Sequence, residues 1–112
     1  MAGEHLLLVD DDRPLCQQLK KQLVREGYSV TVVETGADAL RLVAETTPAL
    51  VILDISLAPD SDGTPCDGID VLRRIRRDYE TPVFMLSATA VGAVKVMALT
   101  MGADDYMTKP FD

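Results

Sequence analysis

One histidine and two cysteines in 112 residues leave little room for several kinds of chemistry. Cys16 and Cys66 lie far apart and match no metal-binding or redox spacing, so they read as reduced thiols rather than a functional pair. His5 begins an apolar run and has no ligand partner in the sequence, which sets aside a phosphohistidine role. No apolar stretch reaches the roughly 18–20 residues that a membrane span needs. The N-terminus lacks a charged-then-apolar leader, because the run ending at Val9 is cut short by Asp10, Asp11 and Asp12. A net charge of −7 argues against general affinity for nucleic acid or anionic membrane. There is no internal repeat and no low-complexity segment. These absences leave a single cytoplasmic domain with one core.

What is present is an alternation of strand and helix signals. Leu6–Val9 reads as a buried strand, and a helix follows from about Pro14 to Glu26, with Leu15, Leu19 and Leu23 on one face. Asp12 suits its N-cap, Pro14 its first turn and Gly27 its end. Tyr28–Val33 is β-branched and strand-like. Thr35-Gly-Ala-Asp38 opens a second helix as an approximate capping box, with Ala39, Leu40, Val43 and Ala44 as its apolar face. Ala49–Leu53 is uniformly apolar, as a central parallel strand covered on both faces must be. Then come a helix over Ile69–Asp78, a strand over Pro82–Leu86, a helix over Val91–Met101 ended by Gly102, and a short strand over Tyr106–Thr108. Strands alternating with helices imply right-handed crossovers and a parallel sheet.

Chemistry-bearing residues sit where these strands end. Asp10, Asp11 and Asp12 follow the first strand, Asp54 the third, Ser87 the fourth and Lys109 the fifth. Ligands of open parallel sheets bind at the carboxyl ends of the strands. Carboxylates suit a hard cation such as Mg²⁺, while a hydroxyl and an ammonium suit an anion. A pocket wanting both is a phosphoryl site.

The segments Leu7-Leu-Val-Asp-Asp11, Leu53-Asp54, Ser87-Ala88, Gly102-Ala-Asp-Asp-Tyr106 and Lys109-Pro-Phe111 resemble the receiver domain of two-component response regulators. They keep that family's order along nearly the whole chain. The count between Ser87-Ala88 and Gly102 is the one its winged-helix subfamily usually shows. The resemblance implies a flavodoxin-like, doubly wound α/β fold with strand order 2-1-3-4-5. It implies Asp54 as phosphoacceptor, with Asp10, Asp11, Asp54 and the Ser56 carbonyl around Mg²⁺. Lys109 would reach the phosphoryl oxygens, and Ser87 with Tyr106 would form the two-state switch. Asp12 reads as a helix cap only. The implied partners are a sensor histidine kinase or phosphotransfer protein. A homodimer partner or output domain would dock through helix 91–101 and strand 106–108, without direct nucleic-acid binding by this domain.

Three features depart from that pattern. The segment after Asp54, with an inserted loop over 58–67, is longer than usual by about half a dozen residues if Gly68 is the equivalent glycine, a length loops tolerate at modest entropic cost. Asp60, Asp62 and Asp67 within it faintly suggest a calcium loop, but no glutamate closes it. The fourth helix is nearly apolar all round, so it is either widely covered or an interface. No residues remain for a final helix after the fifth strand, and the 1–112 domain is expected to be a fragment of a longer regulator. Arg73, Arg74, Arg76 and Arg77 read as a solvated face, with the Arg76 stem turned inward.

The expected function is a phosphorylation-dependent signalling switch rather than a metabolic enzyme. It would catalyse only its own phosphorylation and dephosphorylation. The alternative is a phosphorylation-independent interaction module, its acceptor blocked by the long loop. An aspartyl phosphohydrolase would want a second acid two positions after Asp54, where Ser56 stands.

Overall fold

A computed structural model describes residues 4–57, 63, 67–87 and 92–108, with backbone alone over 92–95. Five strands form one parallel sheet: β1 (His5–Val9), β2 (Ser29–Val33), β3 (Leu50–Asp54), β4 (Val83–Ser87) and β5 (Asp105–Thr108). Their order is β2-β1-β3-β4-β5, as expected from the sequence. Four helices stand among the described residues: α1 (Arg13–Arg25), α2 (Gly36–Thr46), α3 (Gly68–Asp78) and α4 (Gly92–Thr100). Each element lies within a residue or two of its expected span. None of these helices is long and apolar enough to cross a membrane.

Period-two alternation divides the strands between two cores. Leu7, Val9, Val51, Leu53, Val83, Met85 and Tyr106 belong to one cluster with Ala39 and Val43 of α2, Val71, Leu72 and Ile75 of α3, and Ala98 of α4. Leu6, Leu8, Val30, Ile52 and Leu86 belong to the other, with Cys16 of α1. The central strands are apolar at every position because each successive side chain enters a different core.

Helix ends follow local chemistry. The Asp12 carboxylate accepts from the Leu15 N–H at 3.2 Å, and the Thr35 hydroxyl accepts from the Asp38 N–H at 3.2 Å. Both caps were legible from residue type and spacing. The apolar face of α2 is shifted slightly from expectation: Leu42 is half-buried beside Ala39 and Val43, while Ala44 is exposed.

The two faces are covered unequally. Against the second core, α1 buries only Cys16 fully, with Leu19 and Leu23 half-covered. Beside it an apolar groove of about 370 Å³ opens between Leu19 and Leu23 on one side and Leu50, Ile52, Phe84 and Met107 on the other. The opposite face is closed by three helices.

Stability should therefore track burial on the closed face. Ile75 is fully buried, and Ile75→Ala is expected to cost about 2–5 kcal/mol in denaturant unfolding. Val96 is 64% exposed, and Val96→Ala should stay within about 0.5 kcal/mol of the parent. Equal losses at the two positions would contradict this division of the core.

Candidate functional site

Strand register brings the acids together. Val9 pairs with Leu53 across β1 and β3, so the next residues, Asp10 and Asp54, leave neighbouring strand ends side by side. Carboxylate oxygens of Asp10, Asp11 and Asp54 all lie within 4.8 Å of one another. Asp10 and Asp54 are buried, at 1% and 4% exposure, while Asp11 faces solvent.

Backbone bonds fix each position. The Asp10 N–H donates to the Val33 carbonyl at 3.0 Å, and Asp10 Oδ1 accepts from the Asp12 N–H at 3.0 Å. Beneath it, the Cys16 thiol donates to the Asp10 carbonyl at 3.5 Å. Asp54 Oδ1 accepts from the Ser56 N–H at 3.3 Å, and the Ile55 N–H donates to the Leu86 carbonyl at 3.0 Å. Ser87 is buried at the end of β4, opposite Thr108 of β5. Tyr106 pairs with Met85 and is only 7% exposed, its ring in the closed core. Ser56 is exposed and forms an isolated antiparallel bridge with Asp67.

That bridge closes the base of the long connection. Beside it, the Gly68 N–H donates to the Ile55 carbonyl at 2.6 Å. A Cβ at Gly68 would run into the Asp54 carbonyl, so only glycine allows α3 to begin this close to the acid. The Asp67 carboxylate accepts from the Asp70 N–H at 2.8 Å and so caps α3. This runs against the calcium suggestion, since Asp67 serves the helix; Asp60 and Asp62 lie outside the described residues. The cap was missed in the sequence, although Asp67-Gly-Ile-Asp70 repeats the spacing that marked the start of α2.

The acid cluster suits a hard cation. Carboxylates gathered this closely, with those of Asp10 and Asp54 buried, favour a positive charge beside them. The three carboxylates are close enough together to be able to hold one metal ion. Arg13 forms an ion pair with Glu34 at 2.8 Å near the rim. The hydrogen bond from Arg13, and secondarily its charge, hold the Glu34 carboxyl below its ordinary range. Both groups are exposed, so this pair contributes little to stability.

Six of the seven expected site residues thus fall among those described, Tyr106 on β5 included. Asp10, Asp11 and Asp54 form one cluster; Ser56 sits just after Asp54, and Ser87 ends the neighbouring strand. Lys109 lies outside the described residues, as do Thr89 and Pro110. The arginines are not one face: Arg73 and Arg74 pair with Asp70 in solvent, whereas Arg76 turns inward at 21% side-chain exposure.

Comparison with known proteins agrees with this arrangement. The family model for the response regulator receiver domain matches residues 6–112. The receiver domain of the Francisella response regulator 1452 superposes with a TM-score of 0.88 at 32% identity, covering 98% of this chain and 87% of that one. The BeF₃-activated N-terminal receiver domain of Klebsiella pneumoniae RstA gives 0.86 at 27% identity, covering 96% and 87%. NtrX from Brucella abortus gives 0.86 at 31% identity, where 98% of this chain matches 24% of that much longer one. With register, acid cluster and family match in agreement, this chain belongs to the response regulator receiver domain family.

Proposed function

We propose that the chain is a phosphorylation-dependent switch in which Asp54 accepts a phosphoryl group from a sensor histidine kinase or phosphotransfer protein. The observation that carries this reading is the gathering of Asp10, Asp11 and Asp54 at adjacent strand ends. One Asp54 carboxylate oxygen attacks phosphorus, forming the O–P bond of an acyl phosphate. The P–N bond to the donor imidazole breaks, and the departing nitrogen keeps the electron pair. Mg²⁺, when held by Asp10, Asp11, Asp54 and the Ser56 carbonyl, supplies the positive charge that offsets carboxylate and phosphoryl repulsion. Lys109 takes a phosphoryl oxygen as a point charge.

Ser87 is the hydroxyl that bonds the phosphoryl group once it arrives, and Tyr106 is the aromatic that follows it. Their burial on β4 and β5 supports a coupled response, since a buried ring cannot move without repacking its neighbours. The output surface is read as α4 with β5. Val96, Met97 and Leu99 are exposed there at 64%, 46% and 39%, an apolar strip suited to a second copy or an output domain. The groove beside α1 is read as a seat for a further apolar element, because most of its walls are apolar.

The reading of a phosphorylation-independent module loses support from the base of the long connection. The Ser56–Asp67 bridge and the bond from Gly68 to Ile55 close that connection beside Asp54 while leaving the acid cluster assembled.

Intact-protein mass after incubation with acetyl phosphate tests the proposal. A single Mg²⁺-dependent phosphoryl adduct is expected, absent from Asp54→Asn; a well-folded chain that gains none would refute it. Small residues at Ser56 and Thr89 admit water to phosphorus, so the adduct should decay within minutes to an hour or so. Persistence for many hours, followed by the same mass measurement, would contradict that part of the reading.

A further inference from the structure

The chain that leaves Asp54 returns to it through a short antiparallel contact. Ser56 is bridged to Asp67, and beside the bridge the Gly68 N–H donates to the Ile55 carbonyl at 2.6 Å. With the bond in that flanking position, Ser56 and Asp67 are an opposed pair of the non-hydrogen-bonded kind. Residues of such a pair turn their own N–H and carbonyl away from each other. For Ser56 the N–H marks the direction, since it donates to Asp54 Oδ1 at 3.3 Å. The Ser56 carbonyl lies on that same side, toward the acids.

Both sides of the contact are anchored. On one side Ile55 and Leu57 are half-buried against the closed core, and the Ile55 N–H donates to the Leu86 carbonyl at 3.0 Å. Ser56 between them is exposed, the alternation of an extended segment, which leaves it little freedom to turn. On the other side the Asp67 carboxylate accepts from the Asp70 N–H at 2.8 Å. Gly68 then opens a helix that buries Val71, Leu72 and Ile75. The contact is a clamp between the end of β3 and the start of α3.

We propose that this clamp sets the metal site. Closed, it holds the Ser56 carbonyl beside Asp10, Asp11 and Asp54 as a ligand for the cation, and a bound cation in turn holds the clamp closed. This rests on the phosphoryl-switch reading above, in which that carbonyl is one of the ligands of Mg²⁺. Asp67 is the positioning residue: it acts through Ser56, by fixing the strand that Ser56 is bridged to. The coupling is reciprocal, because a clamp that raises affinity for the ion must be stabilised by the ion to the same extent. Metal occupancy is thereby passed to the first turn of α3.

Amide hydrogen exchange on the whole chain, with and without Mg²⁺ at about ten times its dissociation constant, tests this without any substitution. An ion that binds only the closed clamp slows exchange through opening by about tenfold at that concentration. The Gly68 and Asp70 amides should slow by about that factor, while the Asp38 amide, held by the Thr35 cap of α2, stays within about twofold. Titration with Mg²⁺, followed by backbone amide NMR, gives the reverse test. Asp67→Ala removes the cap and should weaken Mg²⁺ binding by about threefold or more. Asp67→Asn keeps a capping oxygen without the charge, and Thr35→Ala removes a cap elsewhere; each should stay within about twofold of the parent.

A Gly68 amide unmoved by Mg²⁺ overturns the proposal. So does equal slowing at Asp38, which would mark general stabilisation. Asp67→Ala binding Mg²⁺ like the parent overturns it as well, as does Asp67→Asn losing as much as Asp67→Ala, since charge and not the clamp would then be acting. A parent with no saturable Mg²⁺ site would instead overturn the phosphoryl-switch reading and the clamp with it.

Discussion

The parallel register that sets two buried carboxylates side by side is the constraint on which this structure turns. Asp10 and Asp54 leave adjacent parallel strands because Val9 and Leu53 are in register. Slipping one strand by a residue would move every apolar side chain of β1 or β3 into the other core. The packing on both faces of the sheet therefore holds the two carboxylates together. The fold thereby keeps three carboxylates gathered at the carboxyl end of the sheet, where they could hold a metal ion.

The surroundings of Asp54 show how such a site tolerates change nearby. The connection after Asp54 is long, yet its base is closed by the Ser56–Asp67 bridge, the Gly68 bond to Ile55 and the Asp67 cap on α3. Backbone contact between Gly68 and Asp54 ties the acid to the start of a helix that buries Val71, Leu72 and Ile75. At the other end of the sheet Arg76 and Asp104 play the equivalent part for β4 and β5, so the elements carrying the site are braced from both ends.

Much of this was readable in the sequence because it rests on local rules. Apolar runs of strand length, the Asp12 and Thr35 caps and the glycine after α4 each follow from a few adjacent residues. The acid cluster was readable because strand-end positions in a parallel sheet converge whatever lies between them. Less legible were the bonds between distant segments. The inward turn of the Arg76 stem was expected, but not its acceptors, since the Gly102 carbonyl and Asp104 lie 26 and 28 residues away. The pairing of Arg13 with Glu34 is likewise a product of the fold. The exposed strip on α4 could not be told from a core helix, because an apolar pattern states what can be buried and not what covers it.

The central claim is that Asp10, Asp11 and Asp54 act as one cation site whose charge makes Asp54 an acceptor. Titration of Mg²⁺ followed by backbone amide NMR, on the parent and on Asp11→Asn, tests it most directly. The account predicts one saturable site in the parent, with the amides of Asp54 and Ser56 shifting together, and an affinity lowered more than about tenfold in Asp11→Asn. Equal affinity in the two chains, or no saturable shift at Asp54 and Ser56 in the parent, would contradict it.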